Sequence, residues 1–184
     1  MRLKSSFLRA MDEFGWTHRD GDGPWTLPPD PTTGFQGYSF SRASLEDRGE
    51  FARLVAIRLA DEHPETPRPT NRVPCTFRWL AQGEEYLGSV VLRHRLTPFL
   101  FEEGGHVGYS VRPSARRRGY ATTLLASALE IGRELGIDPV LITCDEDNVG
   151  SRKVIERAGG RYEDSRSGKR RYWVHLDGAN GSLS

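Results

Sequence analysis

Apolar residues alternate in one stretch of the chain and recur with helical spacing in the next, between residues 106 and 136. Val107, Tyr109 and Val111 alternate with smaller or polar residues, and Pro113 follows, which predicts a strand over 106–111. Further along, apolar residues follow i, i+4, i+7, i+11 spacing up to Gly136, which predicts a helix. This stripe consists of Leu124, Ala128, Ile131 and Leu135.

The same patterns predict the other elements. An amphipathic helix is expected within residues 1–18, and a second helix is expected from Leu45, with Ser44 as its N-cap. Residues 76–80 and 86–92 flank a polar turn, which indicates a β-hairpin. The apolar run 140–144 is typical of a buried strand, and a helix separates it from the strand at 106–111, so the two are expected to be parallel. A helix capped by Asp147 or Asn148 and a terminal hairpin over 161–176 complete the chain.

The order β-β-β-α-β-α-β-β predicts an α+β fold, and 184 residues suit one domain. We expect an N-terminal extension over residues 1–40 that packs on or near the domain, and the domain itself over 41–176. A disordered tail is expected over 177–184.

The overall charge limits the classes of partner. The formal net charge is only +1, whereas a general nucleic-acid binder is more often basic overall, so we expect no nucleic acid partner. Cys75 and Cys144 give no disulfide framework. The sequence shows neither a signal-peptide pattern nor an apolar run long enough for a membrane span. We expect a cytoplasmic protein without a membrane partner.

The segment between the central strand and helix, Arg116 to Ala121, has the chemistry of an anion site. The first N–H groups of a helix lack intrahelical partners, and the helix dipole favours negative charge there. Gly119 lets the backbone approach a ligand closely. Four arginines within residues 112–118 add charge suited to phosphate. The alternative is an ordinary solvated turn.

Two motifs resemble those of the GNAT superfamily of N-acetyltransferases. The first is Arg116-x-x-Gly119-x-Ala121 after a strand that ends Val111-x-Pro113, and the second is Asn148-x-x-Ser151 followed by Gly159-Gly160. The resemblance covers roughly residues 72–176. It implies a GNAT-like fold, in which helices flank a central mixed sheet made of an antiparallel meander and one parallel pair that splays at the cofactor. It also implies acetyl-CoA as cosubstrate.

The resemblance carries over a set of cofactor-binding residues, several of which act through the main chain. No metal is expected, because the sequence shows no ligand spacing. The predicted cofactor-binding residues are Ser110, Val111, Arg116, Arg117, Arg118, Gly119, Tyr120, Ala121, Thr122, Asn148 and Ser151.

The catalytic residues are less well specified. His106 stands where many relatives carry a glutamate base, and imidazole titrates near neutral pH; a structural role beneath the Gly104–Gly105 turn is the alternative. Nearby carboxylates are further candidates for the base: Glu102, Glu103, Asp145 and Glu146. Many relatives have a tyrosine acid where this chain has Ile155. The proton for the thiolate is then expected from Tyr109, Tyr120 or Ser151, or the thiolate leaves without an acid.

These features predict an enzyme that acetylates a primary amine, with a small molecule favoured over a protein. The departure at Ile155 keeps a second hypothesis open, a catalytically silent acyl-CoA-binding module. A homodimer is common in the family.

Overall fold

A computed structural model describes residues 2–17 and 19–176, and a six-stranded sheet runs through that part of the chain. The tail predicted at 177–184 lies outside the described residues. The helices are α1 (Lys4–Glu13), α2 (Arg48–Ala60), α3 (Tyr120–Glu134) and α4 (Val149–Arg157). The strands are β1 (Thr26–Leu27), β2 (Tyr38–Ser39), β3 (Cys75–Gln82), β4 (Glu85–Arg93), β5 (Val107–Val111), β6 (Val140–Asp145), β7 (Arg161–Arg166) and β8 (Lys169–Val174).

The main sheet has the order β3-β4-β5-β6-β8-β7, and β1 pairs with β2 separately. Every neighbouring pair of the main sheet is antiparallel except β5 and β6, which are parallel. This arrangement confirms the predicted α+β class, the antiparallel meander β3-β4-β5 and the single parallel pair. The terminal hairpin is also found as β7 and β8, and it ends at Val174, two residues before the predicted end.

Two hydrophobic cores lie on the two faces of the sheet. Val90 and Leu92 face the core that α3 and α4 cover. On the other face, α1 and α2 cover a core that contains Tyr86, and Phe7 of α1 stacks on Trp79 of β3 with ring centroids 4.7 Å apart. Residues before position 40 therefore contribute to the interior of the molecule. The domain boundary at residue 40 itself stays a prediction.

The start of α2 differs from the sequence-based expectation. Ser44 lies in a 3₁₀ turn, Ser44–Glu46, so the prediction that it caps a helix from Leu45 is wrong. Asp47 is the N-cap, because its carboxylate accepts hydrogen bonds from the N–H groups of Gly49 at 2.8 Å and Glu50 at 2.9 Å. Both residue types are good caps, and only the three-dimensional path of the chain selects between them.

The cap of α4 agrees with the sequence. Of the two predicted candidates, Asn148 provides the cap, and its Oδ1 accepts a hydrogen bond from the Ser151 N–H at 3.0 Å. Within residues 2–17 and 19–176, none of the helices combines the length and apolar character that crossing a bilayer requires.

Candidate active site

The sheet opens between β5 and β6. Strand β5 pairs with β4 at five consecutive positions, but it pairs with β6 at one, Val107 with Ile142. Backbone N–H groups alternate in direction along a strand, and the Arg112 N–H donates to Leu87 O on the β4 side at 2.8 Å. The N–H groups of Tyr109 and Val111 therefore face the opened side, where the described residues show no strand pairing beyond Val107 with Ile142. This gap is the splay that the family resemblance implies.

The N-terminus of α3 lies directly after β5 and presents free donors. Gly119 precedes the helix with a left-handed φ of +84°, and a Cβ placed on it meets no atom within 4 Å. Its carbonyl accepts from Thr122 N–H at 2.9 Å and Thr123 N–H at 3.2 Å. Among the described residues, the N–H groups of Tyr120 and Ala121 have no acceptor. The loop thus combines unpaired amides, open space and the positive end of a helix dipole, which suits a phosphate.

The arginines around this loop fall into two groups. Arg116, Arg117 and Arg118 are exposed and form no ion pair within the described ranges. Arg112 instead pairs with Glu13 at 2.7 Å and with Glu85. Of the four arginines, Arg112 is therefore occupied by carboxylates, and the other three remain available for an anion.

Tyr109 places a buried hydroxyl group beside the splay. Its oxygen has no hydrogen-bond partner in the described part of the chain. Burial raises the pKa of Tyr109 to about 12, and the neighbouring Ser151 side chain offsets only part of that shift. Ile155 is fully buried in the same core, between α4 and the sheet, and has no donor to offer. Tyr109 is therefore a phenol that stays protonated at neutral pH and lacks a partner.

His106 is bonded to the backbone of β6. The backbone N–H of His106 donates to Leu141 O at 2.7 Å, and the ring Nδ1 of His106 accepts from the backbone N–H of Leu141 at 2.9 Å. Burial, together with the positive charge of Arg93, lowers the pKa of His106 to about 4. The ring is therefore neutral at pH 7, and with Nδ1 accepting, its proton resides on Nε2. His106 joins the two strands at the point where they begin to separate.

The other candidate bases lie at the protein surface. Glu102 accepts two hydrogen bonds from Arg166 at 2.9 Å, and Asp145 pairs with Lys169. Glu146 is exposed, and the Glu103 carbonyl accepts from Thr143 Oγ1. In residues 2–17 and 19–176, no three His, Cys, Asp or Glu side chains come together as metal ligands would.

A cleft of about 530 Å³ lies against β5, and the N-terminal segment forms much of its wall. Asp20 lies directly over the central strand: a Cβ added to Gly108 would be 3.2 Å from both Asp20 Cβ and Oδ1. The cleft is lined by Glu13, Phe14, Thr17, Arg19, Asp20, Tyr109, Ser110, Pro113 and Arg116.

The local sequence does not indicate the contact between Asp20 and the central strand. The Asp20-Gly21-Asp22-Gly23 stretch is typical of a loop. The glycines of this stretch are the only sequence feature that relates to the close packing. Gly21 has a φ of +96°, and a Cβ at this residue would collide with Ser89 O.

The structure brings most of the predicted site residues to this opening. Tyr109, Ser110, Val111 and the 116–122 loop lie on β5 and the turn that follows it, and Asn148 and Ser151 lie at the start of α4. The Ser110 side chain lies on the opposite face of β5 from that of Tyr109, with its Oγ 3.5 Å from Ser89 Oγ. The Thr122 N–H already donates to Gly119 O, so only its exposed hydroxyl group is free to contact a ligand.

Comparisons with known proteins place this geometry in context. A family model described as "Acetyltransferase (GNAT) domain" matches residues 25–161. No curated protein matches the chain. Among solved structures, the GNAT domain of S. lividans PAT matches 60% of this chain at 20% identity with a TM-score of 0.48, and this chain spans 65% of that one.

Two further structures match over most of the chain. The microcin C7 self immunity acetyltransferase MccE, solved with acetyl-CoA and AMP, has 11% identity over 94% of this chain and 87% of its own, with a TM-score of 0.55. An acetyltransferase from Salmonella typhimurium that modifies the N-terminal serine of ribosomal protein L7/L12 has 14% identity over 95% and 90%, with a TM-score of 0.55. At these identities the likenesses support the fold.

Proposed function

Because this chain belongs to the GNAT acetyltransferase family, we propose that it transfers the acetyl group of acetyl-CoA to the primary amine of a small molecule. The observation that carries the proposal is the opening between β5 and β6 beside the free N-terminus of α3. One of the structural relatives modifies a ribosomal protein. The small-molecule acceptor is our inference.

The cofactor-binding residues have distinct tasks in this proposal. The amides of Tyr120 and Ala121 and the exposed arginines hold the pyrophosphate, since backbone donors at a helix N-terminus favour anions. The N–H groups of Tyr109 and Val111 are placed to polarise a carbonyl in the opening. Asn148 has committed its Oδ1 to the helix cap, which leaves its amide N–H₂ to contact the pantetheine arm.

In the transfer step, the amine nitrogen forms a bond to the thioester carbon and the carbon–sulfur bond breaks. The sulfur leaves with the bonding pair, and the amine loses a proton. We assign the donor towards the sulfur to Tyr109, because its hydroxyl is protonated at neutral pH, buried and unpaired. A tyrosine on β5 then replaces the tyrosine of many relatives, whose place Ile155 takes.

The base role predicted for His106 stays a prediction. For Nε2 to accept a proton from the amine, the ring proton must move to Nδ1, and the hydrogen bond from Leu141 is then lost. The geometry gives more support to the alternative, in which His106 is a structural residue and the amine loses its proton to water or to a carboxylate at the cleft.

Two measurements test the proposal. Calorimetry with acetyl-CoA, in the presence of a chelator, is expected to show binding without added metal; no binding at millimolar concentration overturns the proposal. Thiol release from acetyl-CoA over a panel of amines then separates an enzyme from a silent acyl-CoA-binding module. Binding with no amine-dependent release supports the silent module.

A further inference from the structure

A second cavity, of about 360 Å³, lies on the face of β3 and β4 that points away from α3. Phe77 and Val91 form its floor, and α2 and the loops around residues 24–38 and 66–73 form its walls. Its size falls in the range of small-molecule sites, roughly 300–1,000 Å³. Nothing in the proposed transfer mechanism uses this cavity.

The charge around the cavity is strongly unbalanced. Among the described residues, Asp61 is the one carboxylate in its lining, and it forms an ion pair with Arg68 at 3.4 Å. Burial raises the pKa of Asp61 against the influence of Arg68. The positive side chains that line it are Arg53, Arg58, Arg68, Arg72 and Arg93. A chain with a net charge of only +1 thus concentrates five guanidinium groups around one concave surface.

The guanidinium groups of two of these arginines are fixed by hydrogen bonds to uncharged oxygen atoms. Arg58 is 6% exposed, and it donates to Tyr38 Oη at 2.9 Å and Pro24 O at 2.6 Å. Arg93 donates to the carbonyls of Gly104 and Gly105. Neither guanidinium forms an ion pair in the described ranges, although the Asp61 carboxylate lies near Arg58 and the Asp20 carboxylate near Arg93. A buried charge without a direct ion-pair partner is costly, so an anion that entered the cavity would be stabilised.

The cavity adjoins the cleft at the centre of the sheet. Val91 on its floor pairs directly with Gly108 of β5, and Asp20 lies over Gly108. Neighbouring strands are about 4.8 Å apart, so Asp20 and the floor of the cavity lie side by side on this face of the sheet. The carboxylate of Asp20 at the cleft suits an ammonium group, and the arginines suit an anion.

We propose that this cavity binds a carboxylate or phosphate group of the acetyl acceptor, which is therefore an amine that also carries a negative charge. The inference rests on the proposed acetyl transfer for the identity of the ligand as acceptor. Apolar side chains in the lining, such as Leu27, Phe35 and Ile57, hold the carbon body between the two charged ends.

Two matched pairs of small amines test the inference by calorimetry on the full chain without acetyl-CoA. Phenylalanine differs from phenethylamine by a carboxylate, and O-phosphotyramine differs from tyramine by a phosphate. We expect the charged member of at least one pair to bind about tenfold or more tightly than its partner, as one charge-assisted hydrogen bond provides. The pair that shows the difference identifies the anion.

Three substitutions locate the binding. Arg72→Gln is expected to weaken binding of the charged amine roughly tenfold, for the same reason. Arg72 is exposed and its side chain forms no hydrogen bond in the described ranges, so its loss leaves folding intact. Arg48→Gln, an exposed position at the start of α2 outside the cavity, is the matched control. Arg118→Gln reports on binding at the α3 loop.

The inference is overturned if neither pair shows a preference for the anion, if none of the four amines binds, or if Arg118→Gln abolishes binding while Arg72→Gln does not. A titration with acetyl-CoA on the same protein keeps the two proposals apart. Charged amines that bind a protein unable to bind acetyl-CoA contradict the proposed function and leave the cavity as an anion site.

Discussion

The hydroxyl group of Tyr109 is buried beside the opening without a partner among the described residues. An unpaired buried hydroxyl costs free energy in the folded state, so a residue type without it is expected to be tolerated. We therefore predict that Tyr109→Phe leaves the free energy of unfolding unchanged or slightly higher.

The same variant is predicted to lower turnover. General acids contribute typically ~10²–10⁴-fold, and we expect the low end because a thiolate leaves more readily than an amine or alkoxide. Affinity for acetyl-CoA is expected to change little, since the proposed phosphate site is the α3 loop. Steady-state rates and a urea curve check both expectations, with Tyr162→Phe, at an exposed tyrosine of β7, as the control. Unchanged turnover excludes Tyr109 as the acid.

His106 gives the stability of the protein a characteristic pH dependence. Its pKa is about 4 in the folded protein and about 6.5 when unperturbed, so between these values the unfolded chain binds more protons. The contribution is complete above pH 6.5 and is lost as the pH falls towards 4, with a slope of up to about 1.4 kcal/mol per pH unit. Urea unfolding from pH 4 to 7 measures this slope.

His106→Asn is the sharpest substitution here, because its side-chain oxygen can accept the Leu141 N–H but does not titrate in this range. We expect a flatter pH dependence and turnover near that of the wild type. A loss of ~10²–10⁴-fold in turnover on the folded fraction would instead support the base role. His94→Asn measures the share of a second histidine whose pKa burial also lowers.

At the scale of elements, the two ends of α3 offer a matched comparison. Gly119 before the helix has a φ of +84° and Gly136 after it has a φ of +68°, and a Cβ at either position meets no atom within 4 Å. Alanine at either position is expected to lower the free energy of unfolding by about 1–2 kcal/mol, the cost of a left-handed backbone for an L-residue.

Only Gly119→Ala is expected to affect the cofactor, because its Cβ projects into the space in front of the loop. We predict an increase in the acetyl-CoA dissociation constant on the order of tenfold for Gly119→Ala, and little change for Gly136→Ala. Calorimetry and urea curves on both variants measure these quantities. An equal effect of both variants on affinity would show that stability, not the phosphate contact, controls binding.

The sequence predicted the central elements well because their signals are local. The strand at 107–111, helix α3 and the buried strand β6 each follow from a few neighbouring residues. The anion site between β5 and α3 rests on neighbouring residues as well, and it stays a prediction. The start of α2 was placed wrongly because Ser44 and Asp47 are both good caps three residues apart. The hydrogen bond between His106 and Leu141 joins residues 35 apart, and no local pattern indicates it.

At the scale of the whole molecule, Arg112 joins the N-terminal segment to the end of β5. Its guanidinium pairs with Glu13 after 99 residues of chain and with Glu85, and its side chain is 12% exposed. Arg9 also pairs with Glu85, but its side chain is 54% exposed, and exposed ion pairs contribute little to stability.

We predict that Arg112→Met lowers the free energy of unfolding more than Arg9→Met and speeds proteolytic cleavage within residues 2–17. The reason is that the loss of Arg112 leaves two carboxylates near the sheet without their shared cation. Thermal unfolding and timed proteolysis of both variants provide the test. Equal effects would mean that this ion pair does not hold α1 in place.

The walls of the two cavities could not be predicted from the sequence. Asp20 contacts the strand at Gly108, and the arginine-lined cavity collects residues from four separate segments between positions 24 and 93. Each of these arginines, taken alone, is typical of a solvated surface. Their convergence depends on how the loops pack on the sheet, which is a property of the complete fold.

The single pairing between β5 and β6 also makes the sheet behave as a wedge whose apex is His106. The backbone C=O and N–H of Leu141 are both hydrogen-bonded to His106. The Leu141 amide proton points at the ring nitrogen of His106 instead of at a carbonyl. An amide in this position exchanges with solvent only when the apex parts. The hydrogen-exchange rate of the Leu141 amide thus reports how often β5 and β6 separate at His106. A molecule bound between the two strands is expected to change that rate.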